Sequence, residues 1–267
     1  SPYFLLEVLK LRTIRMGILL FFLLMLFNSS AMFVNVFAGI GMSIDNWQNA
    51  SLSNWSILGY MVGCIIALIL VKKGVHLKYI FALGFVLIGC AALFMYFEVQ
   101  TYGLYERMKY PVIIRSVGMM CLYSLTAVHA NQRMPYRYLS TWICIMLTVR
   151  MAIGPGAGSS LYSNVLQHRQ QYYITCFSQG RDEMSPEIAM SYTQTVQGMK
   201  YQGKSEVESQ NMAALSAKGK VQVQATLSAL KEMAGWTFYG CIGAAFLMVL
   251  IPWKKRKLSV SGELNAS

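Results

Sequence analysis

The chain has 267 residues, of which 55% are hydrophobic and only 13% charged, whereas a water-soluble domain carries about a quarter charged residues. Its apolar residues gather in runs of about 20, the length that crosses the hydrocarbon core of a bilayer, which excludes a soluble globular fold and predicts an all-α integral membrane protein. The net charge of +12 then reads as an orientation signal flanking the spans, not as a nucleic-acid surface.

In chain order, the sequence opens Ser1-Pro2 without an evident cleavable leader and reads as a fragment with more sequence upstream. Six helical spans are expected, at residues 14–40, 54–71, 77–97, 111–131, 136–160 and 235–253. The first carries Asn28 and Asn35, seven apart and so on one helical face, with Ser29 and Ser30 beside them. That stripe either lines a central cavity or bonds neighbouring helices. Asp45 and Glu98 fall at span ends. The fourth span holds Arg115 near its outer end, close enough to reach interfacial water, with Gly118 one turn on and His129 near the cytoplasmic end.

The fifth span contains "TVRMAIGPGAG", with Arg150 about ten residues from the end of the span at Ser160. At about 1.5 Å per residue this arginine lies roughly 15 Å deep. A charge there costs at least about 2.5–3.5 kcal/mol on insertion scales and must face the bundle or a water-filled cavity. Two roles are open: contact with substrate or a coupling network, or pinning of neighbouring helices. Gly154, Pro155, Gly156 and Gly158 follow. Proline predicts a kink, and Gly154 with Gly158, four apart, suits close helix approach. Residues 161–234 form a polar outer loop with one or two amphipathic helices, which either lead into the sixth span or form a lid or partner contact. Residues 254–267 form a basic tail.

Lys10, Arg12 and Arg15, then Lys72, Lys73 and Lys78, then Arg133 and Arg137, then Lys254 to Lys257 all fall on one side. The opposite short loops hold Arg107 and Lys109. An excess of lysine and arginine marks the cytoplasmic side, so both termini are expected in the cytoplasm. Five of the six cysteines sit in apolar runs and read as small buried thiols, with Cys176 in a loop; none has the paired spacing of a metal site or disulfide framework. No catalytic signature is present, and a non-enzymatic role is expected.

The stretch from "IIRSVGMM" to "SNVLQHRQQ" resembles fourteen-helix drug:proton antiporters of the major facilitator superfamily. The matching positions are Arg115 and Gly118, then Arg133 and Arg137, then Arg150, Gly154 and Gly158, then His168 and Arg169. "VQVQATLSALKEMAGWTF" is similar to that family's approach to its last helix, through Gln224 and Ala225. "VKKGVHLKY" looks like its basic cytoplasmic loop motif through Lys72, Lys73, Gly74 and Lys78, with Val71 where the motif carries an acid. The resemblance covers nearly the whole chain. It implies a six-helix bundle equal to the carboxyl-terminal half of a transporter in the inner (plasma) membrane, with the amino-terminal half of the same protein as its missing partner. It further implies alternating access, a small amphiphilic or toxic substrate, protons as coupling ion and no bound cofactor. Asn28, Asn35 and Arg150 would then meet at the cavity. The other reading is a six-span scaffold or assembly protein, in which these groups pair with one another.

Overall fold

The computed structural model describes residues 12–250 except 43, 101–103, 132–135, 180–185 and 204. The described chain is helical, without strands: α1 (Arg12–Asn28), α2 (Ala31–Val36), a π segment (Phe37–Gly41), α3 (Asn46–Lys72), α4 (Leu77–Glu98), α5 (Tyr105–Asn131), α6 (Tyr136–Thr148), a second π segment (Val149–Ile153), α7 (Gly154–Gln179), α8 (Pro186–Tyr201) and α9 (Glu206–Leu250). Among the described residues, five stretches are long and apolar enough to cross a membrane: Gly17–Gly41, Asn46–Lys72, Leu77–Glu98, Ser140–Phe177 and Glu206–Leu250. The expected fourth span is not among them. It forms α5, whose described part includes Arg107, Lys109 and Arg115, and which packs against α1, α3 and α4.

Two hydrophobic clusters fix the direction of each helix. One joins nearly the whole of α1 (Ile14 to Phe27), the first half of α4 (Ile80 to Ile88), the later part of α5 (Met119 to Leu125), Trp142 of α6 and the end of α9 (Cys241 to Met248). The other joins α2, Leu52 near the start of α3, Met95 near the end of α4, Met108 and Val112 of α5, Tyr162 and Leu166 of α7, and Leu227 to Ala234 of α9. Starts of some helices share a cluster with ends of the next, so the long helices alternate in direction.

Small residues set the closest crossings. A Cβ on Gly59 of α3 would lie 2.6 Å from the Ile113 carbonyl oxygen, and one on Gly63 would lie 2.7 Å from that of Val117. With buried Ala67 they form a stripe of small residues at spacing four against α5. Gly118 meets the Gly84 carbonyl oxygen of α4 in the same way, at 2.7 Å. The rest of α3 points outward, with Ile57, Met61, Ile65 and Leu68 exposed, as suits a lipid-facing helix.

Three boundaries differ from the sequence reading. The first span is not one helix, because it breaks at Ser29–Ser30. The fifth does not end at Ser160: α7 continues to Gln179. The region 161–234 is not mainly loop, since α8 and the first half of α9 fill most of it. Apolar runs report where a helix meets lipid, not where it ends. Nothing in "LYSNVLQHRQQYYITCFSQ" stops a helix, because it holds neither Gly nor Pro. At about 1.5 Å per residue, the 45 residues of α9 span roughly 67 Å, about twice a bilayer's hydrocarbon core. Half of α9 therefore lies outside that core, alongside α8 and the end of α7. The basic tail 254–267 lies outside the described residues, as do Lys10 and Arg133 and the side chains of Arg12, His129 and Arg137.

Candidate functional site

A polar seam runs between α1, α5 and α7, and it begins with the break in α1. Ser29 donates to the Met25 carbonyl through both its hydroxyl, at 3.1 Å, and its N–H, at 3.2 Å, a pairing of the kind that bends helices. The chain then tightens into i→i−3 bonds: Ser30 N–H to Phe27 O at 3.2 Å, Met32 N–H to Ser29 O at 3.1 Å and Phe33 N–H to Ser30 O at 3.0 Å. Met32 thus donates one residue short of the Asn28 carbonyl that a continuous α-helix would use. Arg115 supplies a donor instead. Its Nη1 donates to Asn28 O at 3.3 Å and to Asn28 Oδ1 at 2.9 Å. The arginine that sequence reasoning could send to interfacial water therefore turns inward and holds the broken end of α1. Its Nε is buried without a partner among the described residues.

About two turns along α5, Tyr123 takes the other arginine. The Arg150 guanidinium lies over the Tyr123 ring, 4.4 Å from its centroid, a cation–π contact. Phe21 of α1 packs edge-on against the same ring at 5.8 Å. The Tyr123 hydroxyl and the nearby core indole N–H of Trp142 are buried without partners among the described residues.

The helix carrying Arg150 is not broken by Gly154-Pro155. Instead, Val149–Ile153 winds as a π segment that closes with the Gly154 N–H donating to Val149 O. Pro155 has no N–H to give to the i−4 carbonyl of Met151, so a local i→i−5 register just before it removes part of the conflict. The glycines then divide. A Cβ at Gly154 would collide with the Met25 side chain and one at Gly158 with Ser29 Oγ, so both make the α1–α7 crossing. Gly156, between them, has nothing within 4 Å of such a Cβ, because it lies on another face of the helix.

The three residues expected to converge do not. Asn28 is held by Arg115 and Arg150 by Tyr123, while Asn35 is exposed on α2. The turn at Ser29–Ser30 separates the two asparagines, which would share a face only on a continuous helix. Two open surface depressions, of about 630 Å³ beside Trp47 and Tyr105 and about 300 Å³ beside Gln100 and Lys231, are lined by none of the three.

The loop motif has a backbone explanation. Gly74 stands at φ +73°. Its N–H donates to Val71 O at 3.0 Å, and the Val75 N–H reaches back to Leu70 O at 3.1 Å. This is a Schellman end to α3, which needs a left-handed residue that glycine supplies. Lys72 lies in the last turn and Lys73 at the cap, where cations favour the helix dipole. Lys78 stacks on Tyr79 at 4.9 Å.

Sequence reasoning missed a second polar cluster on the outer helices. Arg169 of α7 donates to both carboxylate oxygens of Glu232 on α9, at 2.7 and 2.5 Å, and the Tyr173 hydroxyl donates to the same carboxylate at 3.2 Å. The guanidinium also sits among the rings of Tyr172, Tyr173 and Trp236 at 4.7, 5.7 and 5.5 Å. Gln170 donates to Thr226 at 2.8 Å, and Tyr162 bonds Thr237 at 3.2 Å. The sequence signal is polarity at those positions and, for Arg169, its place among the positions of the resemblance; the pairing itself leaves no trace, because residues some 60 apart give no periodic pattern. Cys176 lies exposed on this helix, and Cys144, expected buried, is exposed on α6.

No family model, curated protein or solved structure matches this chain.

Proposed function

We propose that the chain is half of a secondary active transporter that exports small amphiphilic or toxic compounds by alternating access, coupled to protons, with both termini cytoplasmic in the inner (plasma) membrane. The observation that carries the reading is the break in α1. A carbonyl left without its helical donor by a tightened turn within an apolar span is taken by a charged side chain from a neighbouring helix. Discontinuous helices with polar groups deep in the bilayer are how secondary transporters build binding sites, and intramembrane arginines mark substrate or ion paths by default. Two π segments, one before Pro155 and one after α2, add places where a helix can change register. The glycine-lined crossings allow close packing with little side-chain interlock. The missing amino-terminal half would supply the other wall of the cavity, and the bundle would need no bound cofactor and perform no covalent chemistry.

A second reading, a membrane scaffold, is favoured by one observation. Asn28 and Arg115 bond each other, and the long α7–α9 pair is latched by Arg169 and Glu232. The two readings separate in an export assay. Cells expressing the full reading frame are loaded with a fluorescent amphiphile, and its efflux is followed with and without a protonophore. Export that stops with the protonophore and falls at least about tenfold in Arg150→Ala supports transport. Accumulation equal to that of cells lacking the protein would move the scaffold reading ahead.

A further inference from the structure

The acids and bases of the spans do not balance. From Arg107 to Arg181 the sequence contains no aspartate or glutamate, and none occurs between Val8 and Ile44. Asp45, Glu98 and Glu106 sit at helix ends, and Glu232 is engaged by Arg169. Arg150, in the membrane-length stretch Ser140–Phe177, and Arg115, on α5, therefore have no acidic counter-ion among the described residues. Arg115 is partly compensated by two oxygens of Asn28. Arg150 is not. Among the described residues its one polar contact is the face of Tyr123.

A guanidinium whose contact is the face of a ring has no acceptor along its N–H edges among the described residues. Those edges are the fork that matches a carboxylate or related oxyanion with two parallel hydrogen bonds. The Tyr123 hydroxyl is a further donor, buried and unpartnered. The guanidinium side of the position is open, whereas the Tyr123 hydroxyl is enclosed and is met only when the two side chains part. Arg150 is half-buried, and Met151 and Ile153 beside it are 73% and 49% exposed. The surroundings are apolar, with Leu147 also exposed.

From this arrangement we infer that Arg150 and the Tyr123 hydroxyl form an oxyanion site for an amphiphilic anion, a carboxylate on an apolar body that lies against the Leu147–Ile153 surface. The inference rests on the transport reading and names the charge of its substrate. The apolar lining would select the body, and the guanidinium would select the anionic head over a cationic one of equal chain length. A lipid headgroup shares the same chemistry, and subtraction of empty zwitterionic nanodiscs with displacement by decanoate distinguishes the free anion from it.

The test is binding by the full chain in nanodiscs of zwitterionic lipid. The probe is 11-(dansylamino)undecanoate, followed by energy transfer from tryptophan, with empty nanodiscs subtracted. Saturable binding displaced by decanoate and not by decyltrimethylammonium is expected. Arg150→Gln is expected to weaken the affinity at least about tenfold, as loss of a bidentate charged contact does, and Tyr123→Phe about threefold or more. Arg169→Ala, away from the seam, is expected to leave affinity unchanged. If Arg150→Gln does not fold, Arg150→Lys carries the same test, since a point charge cannot restore the fork. Equal displacement by the cation, or unchanged affinity in the folded Arg150 variant and Tyr123→Phe, would overturn the site. Saturable anion binding in a protein that exports nothing would overturn transport and leave the site standing. Export of cations without anion binding would do the reverse.

Discussion

Gly154 and Gly156 stand two residues apart on one helix, and the bundle treats them differently. The first has no room for a Cβ beside Met25, while the second has open space. Gly154→Val is expected to destabilise the fold by about 1–3 kcal/mol through overpacking, whereas Gly156→Ala should be neutral or gain up to about 1 kcal/mol of helix propensity. Thermal unfolding in detergent reads the difference, and equal losses at both positions would refute the crossing. The Asn28–Arg115 pair yields a second comparison whose sign is less obvious. Asn28→Leu leaves a buried guanidinium short of its better acceptor. Arg115→Met removes the charge and leaves only a carbonyl and an amide unpaired. Removing the acceptor should therefore cost more, by about 1–2 kcal/mol, because an uncompensated charge is dearer than an uncompensated dipole. The double variant is expected to recover most of the loss. A larger loss in Arg115→Met than in Asn28→Leu would mean that the arginine is held by something other than this pair.

The α7–α9 pair carries its own prediction at the scale of elements. Its inter-helix bonds advance along α7 as they retreat along α9, from Tyr162–Thr237 to Arg169–Glu232 to Gln170–Thr226, which is an antiparallel register. Breaking the central latch with Arg169→Ala should speed amide hydrogen exchange in 161–179 and 206–232 while leaving α4 unchanged, since local opening follows local contacts. The charge swap of Arg169→Glu with Glu232→Arg should restore much of the protection; uniform acceleration across the bundle would show that the pair is not a separate unit. The same pair shows what could and could not be read beforehand. The membrane character was legible because apolar runs must match bilayer thickness, and Arg150 stood out because a charge inside such a run is expensive. The continuation of α7 was not legible from hydropathy, because a helix does not stop where lipid does. The break at Ser29–Ser30 left only a faint trace, since serines are common in helix packing and the Ser29 hydroxyl bond to the i−4 carbonyl has equivalents in unbroken helices, as at Ser116 and Thr126. Arg169 with Glu232 left none, because tertiary pairs are set by topology.

At the scale of the whole molecule, helix length and alternating direction make a claim about sidedness that labelling can settle. Cys144 and Cys176 are both exposed on the continuous run from α6 through α7. They stand 32 residues apart in sequence, roughly 48 Å along a helix axis, which exceeds the hydrocarbon core of about 30 Å. Cys144 belongs to the apolar part of the run and faces lipid, whereas Cys176 lies among polar residues beside the Arg169 cluster. The Lys72–Lys73 turn joins α3 to α4 at the opposite end, because Leu70 and Val71 pack on the cluster that holds the start of α1 and the end of α9. If basic turns mark the cytoplasm, a membrane-impermeant maleimide added to intact cells should label Cys176, spare Cys144, and reach a Lys73→Cys variant only after the membrane is opened. Labelling of Lys73→Cys in intact cells with Cys176 protected would invert the orientation. Labelling of both from one side would contradict the alternating order itself, because α3 and α7 would then present to the same solvent two ends that the core clusters place at opposite poles of the bundle.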